Sequence, residues 1–547
     1  MVFNSIAFAI FLPVVLLLYY FSPRERKNWV LLLAGYVFYG AWDVRFLFLV
    51  SVSTALDYCT GLMIGKGRMM LAQRLAASLY VLGFAFVFLV LNWSDVAFDQ
   101  DPFQIANFRH LFDFNPFGVG VFLATLIAVS LAHCLYPFLA ERLTEDRRRR
   151  FFLLCSLIGQ LGMLAVFKYY NFFIDSADRL VGHFGLSAAG LHLDIVLPIG
   201  ISFYTFQTLS YVCDVYWRRM QPVERLRDFA LFVGYFPPLV AGPIERASHL
   251  IPRILGERRI NFNYVAQGAY LILLGLFKKI AIADGLADSV ASVYNSTGHA
   301  GWLDIVLSTV AFALQIYGDF SGYSDIACGV SLLLGIELIR NFNLPYFAVN
   351  PSEFWRRWHI SLSTWLRDYL YVPLGGNRGG ELKTNRNLML TMLLGGLWHG
   401  AAWNYVLWGF YQGFLLVVHR LVVGVRTNVQ PHSLLWRLPR MTFFFVFVCY
   451  GWLLFRANSF DQIVQFTRTL FLDFSDMNLS MKRPPFGTLL SLPLLLTLEV
   501  FQFKYETIHF YTRLPVIAHG AIYALLVVCL LLGLSYGGSQ QFIYFQF

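Results

Sequence analysis

Apolar runs of about 20 residues, each bounded by a short polar loop, recur from one end of the chain to the other. They fall near 2–21, 29–48, 50–65, 76–93, 116–139, 151–174, 196–214, 262–283, 302–317, 324–337, 388–422, 441–456, 485–503 and 519–536. Such a run carries an α-helix across the ~30 Å hydrocarbon core of a bilayer. The pattern predicts an all-α polytopic membrane protein, with 388–422 forming a hairpin or two half-helices. No internal repeat or low-complexity linker divides the chain, so 1–547 reads as one membrane domain. One apolar stretch cannot be a plain span: ALFVGYFPPLVAGPI (Ala230–Ile244) carries Pro237-Pro238 and Gly242-Pro243, which break helices. It predicts a re-entrant segment whose unpaired backbone is surrounded by protein or water, not lipid.

Loop charge gives a direction. With the first loop inside, loops 22–28, 66–74, 141–150, 215–228 and 245–259 hold 19 Lys and Arg. The alternate loops 94–115, 175–195 and 284–301 hold 2. This is the positive-inside asymmetry. Met1–Phe21 precedes the charges Arg24, Arg26 and Lys27, which predicts an uncleaved first helix starting outside. Lys278-Lys279, near the outer end of the 262–283 run, is the exception.

Composition agrees. The chain is 58% apolar and 14% charged, against about 45–50% and a quarter in soluble domains. A soluble enzyme and a disordered chain are both excluded. The net charge of +10 sits in loops and sets orientation; no basic, aromatic-studded domain exists for nucleic acid. Seven scattered cysteines include no C-x-x-C pair and indicate neither disulfides nor zinc.

Three segments carry candidate chemistry. In SEFWRRWHISLSTWLRDYLYVPLGGNRGG (Ser352–Gly380), helical spacing puts Trp355, Trp358, His359, Leu362, Trp365 and Leu366 on one face. Arg356, Arg357, Arg367 and Asp368 lie on the other. This predicts one amphipathic helix at the inner interface, with Arg outward. His359 on the apolar face is either a satisfied core histidine or a polar group at a reaction chamber. In NLMLTMLLGGLWHGAAWNYVLWG (Asn387–Gly409), His399 lies 12 residues into an apolar run. That depth is roughly 18 Å, near mid-bilayer, where an ionisable group is a functional candidate. Gly395, Gly396 and Gly400 allow close approach of a helix or ligand. In QIYGDFSGYSDIACG (Gln315–Gly329), Asp319 and Asp325 lie between two runs with Tyr317, Ser321 and Tyr323. These either line a chamber or form a hydrogen-bonded kink.

No phosphate-binding G-x-x-x-x-G-K-[ST] loop, H-E-x-x-H zinc motif or G-x-S-x-G elbow occurs. No metal is therefore expected. A neutral imidazole can take the proton of a hydroxyl attacking a thioester. Basic Arg356, Arg357, Arg378, Lys383 and Arg386 would attract a polyanionic donor such as acetyl-CoA, although they also satisfy the orientation rule.

EFWRRWHISLSTWLRDYLYVPLGGNR and LTMLLGGLWHGAAWNYVLWG closely resemble the membrane-bound O-acyltransferase family. LPIGISFYTFQTLSYVCDVY, PPLVAGPIER, FKKIAIAD and YGDFSGYSDIA resemble its bacterial alginate O-acetyltransferase branch. The resemblance implies a ring of helices around a thin central chamber, with 195–456 as core and 457–547 as C-terminal helices. It makes His399 the signature histidine and His359 the second active-site residue. Asp319, Ser321, Tyr323, Trp358, Trp398 and Asn404 are expected as chamber-lining or supporting groups. It further implies acetyl transfer across a bacterial inner membrane from acetyl-CoA, with no permanently bound cofactor. Periplasmic partner proteins would place the acetyl group on a polysaccharide such as alginate or acetylated cellulose. Residues 76–150 look like an insertion of two spans. A non-catalytic transporter of polysaccharide or acyl carrier also accounts for broken helices and a chamber, but not for two specific histidine segments.

Overall fold

The computed structural model describes residues 1–90, 96–97, 104–105, 116–185, 189–258, 261–296, 298–424, 434–535 and 542–543. Helices dominate. The exception among the described residues is a two-residue antiparallel ladder pairing Val96–Ala97 with Gln104–Ile105. It lies in the expected outer loop 94–115, whose remaining positions lie outside the described residues. Among the described residues, ten helices are long and apolar enough to cross a membrane. Close contacts group the chain into two compact units. One comprises Met1–Val240, Ile244–Ile260 and Leu333–Leu338; the other comprises Ala241–Pro243, Asn261–Leu332 and Ile339–Phe547.

In the first unit, Arg45–Gly65 packs on Glu145–Leu164 and Ile201–Tyr216. A buried polar clamp joins two of them: Asp57 accepts from Ser156 Oγ at 2.6 Å and from Gln160 Nε2 at 2.8 Å. Apolar solvent cannot drive helices together, so such hydrogen bonds help to hold them. Leu71–Val90 and Pro116–Glu141 pack against each other. Residues 230–240 are buried throughout. Their helices Leu226–Gly234 and Phe236–Leu239 are only 9 and 4 residues long, too short to cross. The break falls at Tyr235, immediately before Phe236-Pro237-Pro238, as the proline spacing requires.

The second unit contains two departures from the sequence reading. The runs 302–317 and 324–337 were expected as separate spans; the structure has one continuous helix, Trp302–Leu333. Its polar middle needs no loop because a neighbouring helix answers it. Lys278 Nζ pairs with Asp325 at 2.7 Å, and Lys279 Nζ pairs with Asp319 at 2.9 Å and Asp284 at 2.7 Å. Adjacent helical residues diverge by about 100°, so the two lysines meet different carboxylates. Both sit in a π-helical turn, Phe277–Asp284. The backbones meet closely here: a Cβ on Gly275 would lie 2.5 Å from the Gly322 carbonyl oxygen, and one on Gly329 2.6 Å from that of Gly268. The misfit of Lys278-Lys279 with loop charge is thereby explained: these lysines are buried ion-pair partners.

Second, Ser352–Gly380 is not one amphipathic helix. Helices Pro351–Arg357 and Ile360–Leu366 are separated at Trp358, which is extended, and at His359, which is left-handed (φ 42, ψ 55). A π-helical turn, Arg367–Tyr371, follows. Nor do all the arginines face outward. Arg357 donates to Glu353 at 2.9 Å and to the Asn343 carbonyl at 3.0 Å.

Candidate active site

His359 is placed by a returning loop. The Ile360 N–H donates to the Asn341 carbonyl at 2.9 Å, and the Asn343 N–H to that of Arg357 at 2.9 Å. These bonds force the chain out of helix at Trp358–His359. The segment is anchored from its other side as well. Asn350 caps Pro351–Arg357 by accepting from the Glu353 N–H at 2.8 Å. Glu353 accepts from the Val349 N–H at 3.0 Å, from Arg357 and from buried Arg437. Burial alone would raise the Glu353 pKa, but the Val349 N–H, Arg357 and Arg437 prevail and hold it below the ordinary glutamate range.

The imidazole of His359 is fully buried between Phe320, at 4.6 Å between ring centroids, and Phe342, at 6.4 Å. His359 lies outside the ten span-length helices. Burial, and then the neighbouring His399, push its pKa well below the usual histidine value, so the ring is neutral at pH 7.

His399 is the last residue of Glu381–His399, and the chain reverses through 400–402 into Trp403–Val423. The 388–422 run takes the expected hairpin form, with His399 at the end of its first helix. Its helices meet backbone to backbone: a Cβ on Gly396 would lie 2.9 Å from Gly409 Cα, and one on Gly409 would meet the Met392 carbonyl. Trp398 and Trp408 each lie 5.1 Å from the His399 ring, and Phe455 lies at 5.6 Å. The centroids of His359 and His399 are 6.5 Å apart.

The other expected residues divide. Trp398 stands beside both histidines, 6.0 Å from His359. Trp358 is fully buried and packs on Trp452 at 4.8 Å. Ser321 is fully buried one residue from Phe320. Asp319, bound by Lys279, also accepts from the Ile543 N–H at 2.6 Å. Tyr323 packs on Phe542 at 4.4 Å. Asn404 donates to the carbonyls of Phe455 at 3.4 Å and Ala457 at 3.1 Å, tying off the end of Leu434–Arg456. Among the described residues no His, Cys, Asp or Glu cluster is placed to hold a metal.

A cavity of about 430 Å³ opens in this unit. Of the expected donor-attracting groups, only Arg356 lines it. Arg357 is bound to Glu353, Arg386 donates to Asn387 at 3.0 Å, and Arg378 and Lys383 are exposed elsewhere. Arg367, His419 and Arg420 line it instead, with Tyr371 and Asn377. Loop charge does not single out Arg367, His419 and Arg420, because they sit at helix ends and not in loops. Two wall residues, Thr391 and Met392, share the helix of His399. A third, Trp355, packs on Trp408 at 5.8 Å, which in turn packs on His399.

The family model of the membrane-bound O-acyltransferases matches residues 225–460, which include both histidines. A protein of Azotobacter vinelandii named "Probable alginate O-acetylase AlgI" is 36% identical over 484 residues, 88% of this chain and 80% of that protein. Its namesake in Pseudomonas aeruginosa is 37% identical over 463 residues, 84% of this chain and 72% of its own. A peptidoglycan O-acetyltransferase of Helicobacter pylori is 36% identical over 347 residues, 58% of this chain and 64% of its own. With its paired histidine segments inside the matched region, the chain belongs to the membrane-bound O-acyltransferase family and is an O-acyltransferase.

Proposed function

We propose that this chain takes acetyl from acetyl-CoA on the cytoplasmic side of a bacterial inner membrane and passes it toward an exopolysaccharide outside. The single observation carrying this reading is the pair of buried imidazoles, 6.5 Å between centroids, walled by Trp398, Trp408 and Phe455. One imidazole takes the proton of an acceptor hydroxyl as its oxygen attacks the thioester carbonyl carbon. The carbon–sulfur bond then breaks, an ester forms and CoA leaves as thiol. The acceptor hydroxyl belongs to a periplasmic partner protein or to the polysaccharide itself.

Two further features support the direction. A single Trp302–Leu333 crossing returns the chain to the inner side before the basic loop NRGGELKTNR; two crossings would have left that loop outside. The cavity beside that loop presents Arg356, Arg367 and Arg420 to a phosphate-bearing donor, with Arg367 partly neutralised by Asp368 at 2.7 Å. The relatives named for alginate and peptidoglycan acetylation support acetyl as cargo and a cell-surface polymer as destination. The pair Leu71–Val90 and Pro116–Glu141 reads as an addition outside the matched core.

The test is His399→Ala in the encoding strain. It abolishes polymer O-acetylation while membrane insertion persists; normal acetylation in this variant sinks the reading. Separately, Arg356→Gln and Arg420→Gln each raise the KM for acetyl-CoA about tenfold at little cost to the saturating rate, measured in inverted membrane vesicles.

A further inference from the structure

The amide of Asn341 has one orientation that satisfies all its neighbours. Its Nδ2 donates to Ser324 Oγ at 3.2 Å. The Ser361 N–H, which can only donate, fixes Oδ1 on the side of Ser361 and His359, where it accepts from that N–H at 3.3 Å and from the Ser361 hydroxyl at 2.9 Å. His359 Nδ1 lies 3.1 Å from the same oxygen. An oxygen with no proton to give requires a proton on Nδ1. Ser361 Oγ, at 3.4 Å from Nδ1, does not compete, since its proton is committed to Oδ1. All four residues are buried.

Resting on the acyl-transfer reading above, we infer that Asn341 is a positioning residue that locks His359 as its Nδ1–H tautomer, making Nε2 the basic nitrogen for the acceptor hydroxyl. The same residue grips the backbone, since its carbonyl accepts from the Ile360 N–H at 2.9 Å. One side chain and its own peptide group thus fix both the ring's tautomer and the left-handed turn that presents it. The titratable groups around this ring are His399, the Asp319–Lys279 pair beside Phe320, and the Glu353–Arg357 pair on its own segment. Lys279 is engaged by both Asp319 and Asp284, and Glu353 by both Arg357 and Arg437, which leaves Asn341 and His399 as the groups directly beside the ring.

The experiment measures [14C]acetyl transfer from acetyl-CoA in inverted vesicles carrying the full chain, as a function of pH. Asn341→Ala frees the tautomer and lowers the saturating rate about tenfold or more, leaving the donor KM within about twofold. Asn341→Asp keeps the acceptor and adds charge, so it retains more activity than Asn341→Ala. Its acid limb moves to higher pH, because a carboxylate favours imidazolium. Ser324→Ala, which only releases Nδ2, gives a smaller loss. If His359→Ala is inactive but Asn341→Asp leaves the pH profile unmoved and Asn341→Ala transfers normally, the positioning role is overturned alone. If His359→Ala and His399→Ala both transfer normally, the acyl-transfer reading beneath it falls instead.

Discussion

His359 occupies backbone that a histidine rarely adopts, at φ 42 and ψ 55. Holding a non-glycine residue there costs about 1–3 kcal/mol and persists only where neighbours over-determine it. Here they include the Asn341 carbonyl, the Ser363 N–H donating to the His359 carbonyl at 2.9 Å and Ser363 Oγ donating to that of Trp358 at 3.1 Å. Strain and chemistry can be separated by substitution. His359→Asn, which tolerates left-handed backbone, leaves the melting temperature in detergent nearly unchanged and abolishes transfer. His359→Val loses transfer and also about 1–3 kcal/mol of stability. Both histidines were legible as candidates, because an ionisable ring on an apolar face or in an apolar run is anomalous wherever it occurs. Asn341 was not. It lies outside any helix, 18 residues before its partner, and nothing local in the sequence marks a side chain whose task depends on a loop returning.

Among elements, the short Pro351–Arg357 helix is held by charge rather than by length. Removing the Glu353 carboxylate in Glu353→Gln leaves buried Arg437 without its counter-ion. A loss of about 3–5 kcal/mol is expected, read as a lower unfolding temperature. Because the folded pKa of Glu353 is depressed, its stabilisation is complete above the ordinary glutamate pKa of about 4.3 and disappears as pH falls through the folded value. Wild-type melting should therefore drop below that pH more steeply than melting of Glu353→Gln. Helix positions were mostly readable from hydropathy, including Phe486–Tyr505 and Val516–Leu534. The failures share a cause. Gly318, Asp319, Ser321 and Asp325 look like a break until Lys278 and Lys279 are known to face them, and Trp358–His359 look helical until Asn341 and Asn343 are known to pair there. Periodicity reports only a segment's own preference, and long-range partners overrode it twice.

For the whole molecule, the number of crossings decides which loops share a compartment. On the proposed orientation, with Trp302–Leu333 crossing once, Asn377→Cys is expected to be labelled from the side of the basic loops and Ser475→Cys from the opposite, outer side, by an impermeant maleimide in a cysteine-free background. Labelling of the two with their sides exchanged, Asn377→Cys from the outer side, would refute the single crossing. The hairpin bearing His399 has a different kind of implication. Where Gly396 and Gly409 touch, there is no side chain to rearrange, so this seam offers evolution no means of enlarging the reaction space. A descendant handling a longer acyl chain would have to be whittled from the tryptophan side, at Trp408 or Trp452, leaving the glycine seam untouched.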